Sequence, residues 1–222
     1  MLYVSCSSRI SKDIEVTQDI TIITVEDTRA ALSGLSACFY GKPSEKMELI
    51  GVTGTNGKTT TAYFIKSILD NSNHNVGLIG TLGTFIKGKS IRTTHTTPES
   101  LELHEIFKSM IDVNIDSCVM EVSSHSIKLE RINDCDFNIG IFTNLTHEHL
   151  DFHKTIENYY KVKRQLFFTT NRFNIVNIDD SFGNRLAKEV ADIGPTLLTY
   201  GIENKADISA KEVFLSDNYS QF

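Results

Sequence analysis

Several features that would indicate a secreted, membrane-bound or metal-stapled protein are missing from this sequence. No apolar run approaches the roughly 18 residues that a membrane-spanning helix needs, and the N-terminal stretch MLYVSCSSRISKDIEV lacks the apolar core of a signal peptide. The four cysteines, Cys6, Cys38, Cys118 and Cys135, form no CxxC pair, so neither a zinc knuckle nor a disulfide framework is indicated. We therefore expect a cytoplasmic protein with reduced thiols and no membrane insertion.

A concentrated positive charge is also missing. The formal net charge is -6 and the lysines are scattered along the chain, whereas a nucleic-acid footprint is normally basic. Polynucleotide binding is therefore not expected. Phosphate groups on a small ligand remain possible, because a local loop can bind them against the charge of the whole chain.

Short apolar runs alternate with helical patterns from about residue 48 onward. Strands are predicted at 49–53, 76–79, 117–122, 137–145, 173–178 and 196–200, a hairpin at 84–92, and helices at 59–71, 98–113, 156–168 and 181–191. Because the strands are apolar on both faces, the pattern predicts an α/β fold, a mostly parallel sheet with helices on both faces. The helix at 98–113 is expected to bury one broad face, formed by Leu101, Leu103, Ile106, Phe107 and Met110. Residues 1–47 contain one short helical stretch, at 28–39, and resemble an appendage or a fragment.

A glycine-rich segment, GVTGTNGKTT at 51–60, follows the first of these strands and begins a helix. Its glycines let the backbone turn its N–H groups inward, and together with the helix N-terminus these form an anion site. Lys58 would reach the phosphates, and the Thr59 hydroxyl would bind Mg²⁺. The strict pattern G-x-x-x-x-G-K-[ST] is not met because position 52 is valine. The alternative is a glycine-rich turn with a solvated lysine, but the strand–loop–helix context favours a phosphate loop.

Polar clusters follow two later strands, where ligands of open α/β sheets bind. Glu121 lies at the end of a very apolar strand. A carboxylate at this place can bind Mg²⁺, and the alternative is that it caps a helix or forms a salt bridge. The segment 143–153 holds three histidines at 147, 149 and 153, and their spacing H-x-H-x-x-x-H favours support of a magnesium site over structural zinc. The helix with Lys161, Lys163 and Arg164 is, on its own, typical of a basic solvated face.

Taken together, these segments resemble the Mur ligase family, and within it the MurE-type ligases. The resembling residues are GVTGTNGKTTT at 51–61, TTPES at 96–100, MEVSSHS at 120–126 and FTNLTHEHLDFH at 142–153, with the lysine of YYKVKRQLF at 159–167 at the family's interval. The resemblance runs from about Thr24 to the end of the chain. Four motifs in order, at family spacing, are a far more specific signal than any one of them.

The resemblance implies an ATP-dependent ligase that forms an amide bond in peptidoglycan synthesis. Such enzymes add the third amino acid to UDP-MurNAc-L-Ala-D-Glu through an acyl phosphate, with ATP and Mg²⁺ as cofactors. Among free amino acids, meso-diaminopimelate is the preferred expectation and L-lysine remains possible. Phosphorylation makes physical sense here, since it converts a carboxylate oxygen into a good leaving group, and the enzyme then positions reactants and neutralises charge.

The resemblance also assigns roles to residues. The ATP-binding positions are Gly54, Thr55, Asn56, Gly57, Lys58, Thr59 and Thr60, and the catalytic ones are Lys58, Glu121, His149 and Lys163. Thr59 and Glu121 would hold one magnesium ion, and Glu121, His149 and a Lys163 carbamylated by CO₂ would surround a second. The UDP-MurNAc-dipeptide would be bound by Thr96, Thr97, Ser123 and Arg131. His95 and Leu129 depart from the family pattern and are left out, and Glu148 replaces the usual aspartate.

The resemblance finally implies a domain arrangement. Relatives have a domain for the uridine diphosphate, a central ATPase domain and a C-terminal domain that brings the amino acid. We expect 1–47 to be a remnant of the first domain with its joining segment, 48–222 to be a truncated central domain, and the third domain to be absent. We therefore expect a monomer that cannot complete ligation alone. Two alternatives stay open: a folylpolyglutamate or cyanophycin synthetase type of ligase, and a non-catalytic remnant that binds nucleotide.

Overall fold

The computed structural model describes residues 2–6, 21–216 and 220–221. Its strands are β1 Leu2–Cys6, β2 Thr21–Val25, β3 Glu48–Thr53, β4 Val76–Gly80, β5 Gly83–Ile86, β6 Lys89–Ile91, β7 Ser117–Glu121, β8 Ile139–Phe142, β9 Phe173–Asn177, β10 Thr196–Gly201, β11 Ile208–Ser209, β12 Phe214–Leu215 and β13 Ser220–Gln221. Its helices are α1 Thr28–Phe39, α2 Lys58–Asn71, α3 Ser100–Asp112, α4 Ser124–Lys128, α5 Leu150–His153, α6 Ile156–Lys163, α7 Gln165–Thr169 and α8 Ser181–Val190, with a 3₁₀ turn at Pro43–Lys46. Within the described ranges, no helix combines the length and apolar character needed to cross a membrane.

The main sheet has nine strands in the order β11-β10-β9-β8-β3-β7-β4-β5-β6. Neighbouring strands are parallel from β11 to β4, whereas β5 and β6 add an antiparallel hairpin at one edge. Strand β3 lies between β7 and β8, so three strands that each end in a polar motif are adjacent. This order brings those motifs together at the carboxyl ends of the parallel strands.

Helices cover both faces of this sheet, as the sequence predicts. One face is closed by α2, where Ala62 packs with a group of buried aliphatic side chains, namely Ile50, Val52, Val76, Leu78, Val119 and Ile141. The other face holds the larger core, to which α3, α6, α7 and α8 contribute. Burial of apolar surface on both faces explains why the central strands contain almost no polar residue before their ends.

Four details differ from the sequence predictions. Leu101 is 48% exposed, because it lies two residues before Leu103 and so falls off the helical stripe that 103, 106, 107 and 110 share. The helix predicted at 156–168 is two helices, α6 and α7, interrupted at Arg164. The strand predicted at 137–145 is confined to four residues, since its flanks form loops. Residues 1–47 also contain two strands, β1 and β2, which pair in parallel.

Candidate functional site

The glycine-rich loop connects β3 to α2 and is fastened to the loop that follows β8. Gly57 precedes α2 at φ 82°, a backbone region that favours glycine, and Gly54 has φ 153°. A β-carbon at Gly54 would also collide with the Thr143 hydroxyl. The Asn144 side chain accepts a hydrogen bond from Asn56 N at 3.0 Å and donates one to Asn56 O at 3.1 Å. The loop therefore has one defined shape, with the N-terminus of a long helix behind it.

Two lysines from distant segments meet at this loop. Lys58 Nζ donates to the Gly54 carbonyl at 2.9 Å, and Lys163 Nζ donates to the same oxygen at 2.8 Å. Lys163 is 1% exposed, and burial, with Lys58 nearby, holds its pKa well below the ordinary value of 10.5. Burial also lowers the pKa of Lys58, against the opposing charges of Glu121 and Glu148. The prediction of a basic solvated face on α6 is therefore wrong for Lys163, because its side chain is buried.

The Glu121 carboxylate faces the same loop. Both of its oxygens accept from the Thr59 hydroxyl, at 2.9 and 3.0 Å, and Thr81 donates to it through its backbone N–H at 2.9 Å and its hydroxyl at 3.2 Å. Glu121 is 1% exposed and forms no ion pair among the described residues. The capping and salt-bridge alternatives for Glu121 are therefore not supported, and its side-chain partners are the hydroxyl groups of Thr59 and Thr81. Two hydroxyls beside a buried carboxylate are the hard oxygen donors that Mg²⁺ prefers.

The histidines of 143–153 take different positions. His149 is half-exposed, and its ring centroid lies 5.1 Å from that of His125. His153 is buried, its Nε2 lies 2.8 Å from the Ser124 hydroxyl, and burial lowers its pKa to about 4. In the part of the chain that the structure describes, no three His, Cys, Asp or Glu side chains form a group able to hold a metal ion. The zinc alternative therefore has no support from these residues.

A cavity of about 400 Å³ opens beside the loop. Seven of the residues that line the cavity are among those predicted to carry function, namely Lys58, Thr96, Thr97, Ser123, Arg131, His149 and Lys163. It is also lined by Thr81, His95, Ser124, His125 and Tyr159, which sequence reasoning missed. No motif assigns a role to Thr81 or Tyr159, because their position at the cavity depends on strand order and on which side of α6 is buried. His95 departs from the family pattern, yet it lines the same cavity.

The far wall of this cavity is fixed by a buried arginine. Arg131 is 6% exposed and donates to the Thr97 carbonyl at 3.1 Å, and its guanidinium forms an ion pair with Glu99 at 2.7 Å. The Thr97 hydroxyl donates to the Glu121 carbonyl at 2.8 Å and accepts from Ser123 N at 3.1 Å. The Thr97 hydroxyl and carbonyl therefore connect the segments of this wall, and Arg131 lines the cavity with its guanidinium paired to Glu99.

A larger depression, of about 650 Å³, lies elsewhere, against α8. It contains none of the side chains predicted to carry function. Its Asp179 carboxylate is occupied by the backbone N–H groups of Ile202, Glu203 and Asn204, and its Arg185 is paired with Glu157. Size alone does not identify a site, and the convergence of reactive groups favours the smaller cavity.

Comparison with known proteins gives consistent matches. A model of the Mur ligase middle domain matches residues 52–222. The chain is 48% identical over 215 residues to the UDP-N-acetylmuramoyl-L-alanyl-D-glutamate--2,6-diaminopimelate ligase of Clostridium perfringens, an alignment that covers 96% of this chain and 44% of that relative. The chain thus spans less than half the length of this relative.

Solved structures agree with these sequence matches. A structure of a UDP-N-acetylmuramoyl-L-alanyl-D-glutamate--2,6-diaminopimelate ligase superposes with a TM-score of 0.79 at 25% identity, covering 90% of this chain and 42% of that one. A Mycobacterium tuberculosis folylpolyglutamate synthase, complexed with ADP and AMPPCP, gives a TM-score of 0.67 at 12% identity, covering 86% of this chain and 50% of that one. At that identity the second match shows a shared fold and nothing more.

Proposed function

The chain belongs to the Mur ligase family, and from that premise we propose that it forms the ATP-binding centre of an enzyme that joins 2,6-diaminopimelate to UDP-N-acetylmuramoyl-L-alanyl-D-glutamate. The observation that carries the proposal is the meeting of Lys58 and Lys163 on one carbonyl of the phosphate loop, close to the Thr59–Glu121 pair. This arrangement places the Lys58 amine where phosphate oxygens would bind, with the buried Lys163 amine and a carboxylate beside it. We further propose a monomer that acts in the cytoplasm.

The loop residues 54–60 are proposed to bind the phosphates of ATP. The loop offers backbone N–H groups at the start of α2. Among the described residues, Lys58 donates to carbonyls of its own loop, those of Gly54 and Thr55. A phosphate oxygen is a stronger acceptor than a neutral carbonyl, so Lys58 can exchange these bonds for bonds to the nucleotide. Loop N–H groups and Lys58 would then neutralise charge during phosphoryl transfer to the substrate carboxylate.

The residues present fit magnesium. Thr59 and Glu121 would hold one ion, and Glu121 with His149 and Lys163 would border a second. Bound there, Mg²⁺ would neutralise phosphate charge. The lowered pKa of Lys163 favours its neutral amine, which is the form that reacts with CO₂ to give a carbamate with release of one proton. Carbamylation of Lys163 therefore belongs to the proposal, because an uncharged or anionic group suits a metal site better than an ammonium.

The cavity wall is proposed to bind the UDP-MurNAc-dipeptide. Arg131 would pair with a carboxylate or phosphate of this substrate. The hydroxyl groups of Thr96 and Ser123, which also line the cavity, would form hydrogen bonds with the substrate. We propose that Thr97 contributes by fixing Ser123 and Arg131, since its hydroxyl and carbonyl are already bonded. The acyl phosphate formed on the dipeptide would then be attacked by the amino group of diaminopimelate.

A chimera provides the test. The matching segment of the Clostridium perfringens ligase, which is 48% identical, would be replaced by this chain and assayed with UDP-MurNAc-dipeptide, Mg·ATP and either diaminopimelate or L-lysine. We expect tripeptide with diaminopimelate, and loss of product with Lys58→Ala. A folded chimera that binds ATP but yields no tripeptide would contradict the proposal. Addition of glutamate to folate instead would favour the folylpolyglutamate type.

A further inference from the structure

A second depression lies behind the site, on the outer side of α4, α5 and α6. It has a volume of about 490 Å³, and three lysines border it, namely Lys128, Lys154 and Lys161. The side-chain amides of Asn158 and Gln165 also border it, and the buried His153 forms part of its wall. We call this feature the lysine depression. None of its bordering side chains is a carboxylate, although the chain as a whole has a net charge of -6.

The three lysines have no acidic partner among the residues that the structure describes. The nearest carboxylate on α6 is Glu157, which is one helical turn from Lys161 but is already bound by Arg185 through two bonds of 2.7 and 2.9 Å. Lys154 Nζ donates to the Asp151 carbonyl at 3.0 Å, its one hydrogen bond within the part of the chain that the structure describes. Three ammonium groups around one concave surface repel one another, and a bound anion would remove that repulsion.

The backbone at Lys154 gives a second, independent observation. Lys154 has φ 70° and ψ -45°, a backbone conformation that is unfavourable for a residue with a β-carbon and that glycine adopts more readily. A lysine at this position therefore carries a cost to the fold. Its side chain borders the depression that Lys128 and Lys161 also border. Complementing the C-terminal ends of α4, α5 and α6 would account for each of Lys128, Lys154 and Lys161 singly, but not for their position around one depression.

We propose that the lysine depression binds a small, multiply charged phosphate anion of about the size of pyrophosphate. Lysine ammonium groups serve as point charges for phosphate oxygens, and the two amides supply hydrogen-bond donors between them. The site is separate from the phosphate loop. It lies one layer away from the cavity of the proposed function, because the His153 ring contacts Ser124, which lines that cavity. Anion binding in the lysine depression does not require ligase activity.

The test uses the chain with Lys58→Ala, which removes the main cation of the phosphate loop, in metal-free buffer. Calorimetric titration with inorganic pyrophosphate is expected to show binding to one site, weakened at least tenfold by Lys128→Gln with Lys161→Gln. The matched control is Lys87→Gln with Lys89→Gln, an equal loss of charge in the exposed β5–β6 hairpin, and it is expected to leave the affinity unchanged. The Gln165 side-chain amide resonance is expected to shift during the titration.

Lys154→Gly separates a binding role from a structural one. We expect it to raise the melting temperature, because it relieves the backbone, and to weaken pyrophosphate binding, because it removes a charge. Absence of binding to the Lys58→Ala chain would overturn the proposal, since all phosphate binding would then belong to the loop. Equal weakening by the hairpin variant, or full affinity in Lys128→Gln with Lys161→Gln, would overturn it as well.

Discussion

At the scale of single residues, the carboxylate of Glu121 depends on the missing side chain of Gly80 on the neighbouring strand. A β-carbon at position 80 would lie well inside van der Waals contact of Glu121 Oε1. We predict that Gly80→Ala displaces the carboxylate from Thr59 and lowers the affinity for Mg·ATP at least tenfold, as measured by calorimetry. Gly34→Ala is the control, because its nearest neighbours lie at an ordinary 3.6 Å and alanine suits the interior of α1. Unchanged affinity in Gly80→Ala would remove Glu121 from the nucleotide site.

The buried His153 makes a prediction about pH. Burial, with the nearby charges of His125, Lys163 and His149, lowers its pKa from 6.5 to about 4, so the unfolded chain takes up this proton first as the pH falls. The stability that depends on neutral His153 is fully present above pH 6.5 and is lost between about 6.5 and 4. The loss is on the order of 3 kcal/mol, because the pKa of His153 falls from 6.5 to about 4 and each pKa unit corresponds to about 1.4 kcal/mol.

The measurement is the free energy of unfolding in urea between pH 7 and pH 4. We expect His153→Gln, whose amide can still reach Ser124, to lose less stability over this interval than the unaltered chain. His147→Gln removes an exposed histidine that forms no ion pair among the described residues, and as the control it is expected to keep the pH dependence of the unaltered chain. A parallel decline in all three proteins would contradict the assignment of acid sensitivity to His153.

The candidate residues could be predicted from the sequence wherever a motif falls at the end of a strand. Lys58, Thr59 and Glu121 are such cases, since parallel strands bring their carboxyl ends to one edge. Thr81 and Tyr159 could not be found in this way. Thr81 reaches Glu121 only because β4 pairs with β7, and Tyr159 lines the cavity only because its face of α6 is turned inward.

At the scale of elements, the loop after β8 acts as a brace for the phosphate loop. Asn144 forms two side-chain hydrogen bonds with Asn56, and its carbonyl accepts from Thr55 N at 2.9 Å. We predict that Asn144→Ala weakens Mg·ATP binding about tenfold, because two hydrogen bonds of about 0.5–1.5 kcal/mol each are removed. Hydrogen exchange at the Asn56 amide should become faster at the same time.

Asn71→Ala is the matched control for this brace. Asn71 donates to the Ser67 carbonyl at the exposed end of α2, far from the phosphate loop in sequence. It should leave both the affinity and the exchange at Asn56 unchanged. Wild-type exchange at Asn56 in the Asn144→Ala chain would show that the loop holds its shape without the brace.

Element boundaries show where the sequence pattern is insufficient. The alternation of apolar runs locates β3, β4, β7, β9 and β10 to within a residue or two. The pattern misses the interruption at Arg164, because no proline or glycine marks it and buried residues occur on both sides, at Val162 and Leu166. It also misses the pairing of β1 with β2, which is a contact between distant segments.

At the scale of the whole molecule, the parallel sheet with helices on both faces follows from the apolar character of its strands. The strand order does not follow from it, because the order depends on which crossover connections pack best. That order is what places β3 between β7 and β8, and so assembles one cavity from segments more than 100 residues apart. The division into 1–47 and 48–222 remains a prediction, and the family match begins at residue 52.

The most direct test of the account is the thermal melting of this chain with and without Mg·ATP, with Lys58→Ala as control. A ligand that binds only the folded chain stabilises it by about 2.7 kcal/mol at a hundredfold excess over Kd, an upward shift of about 5–10 °C for a chain of this size. The account predicts this shift in the unaltered chain and its loss in Lys58→Ala. A cooperative melt that Mg·ATP does not move, or moves equally in both proteins, would contradict a nucleotide site at the loop of β3.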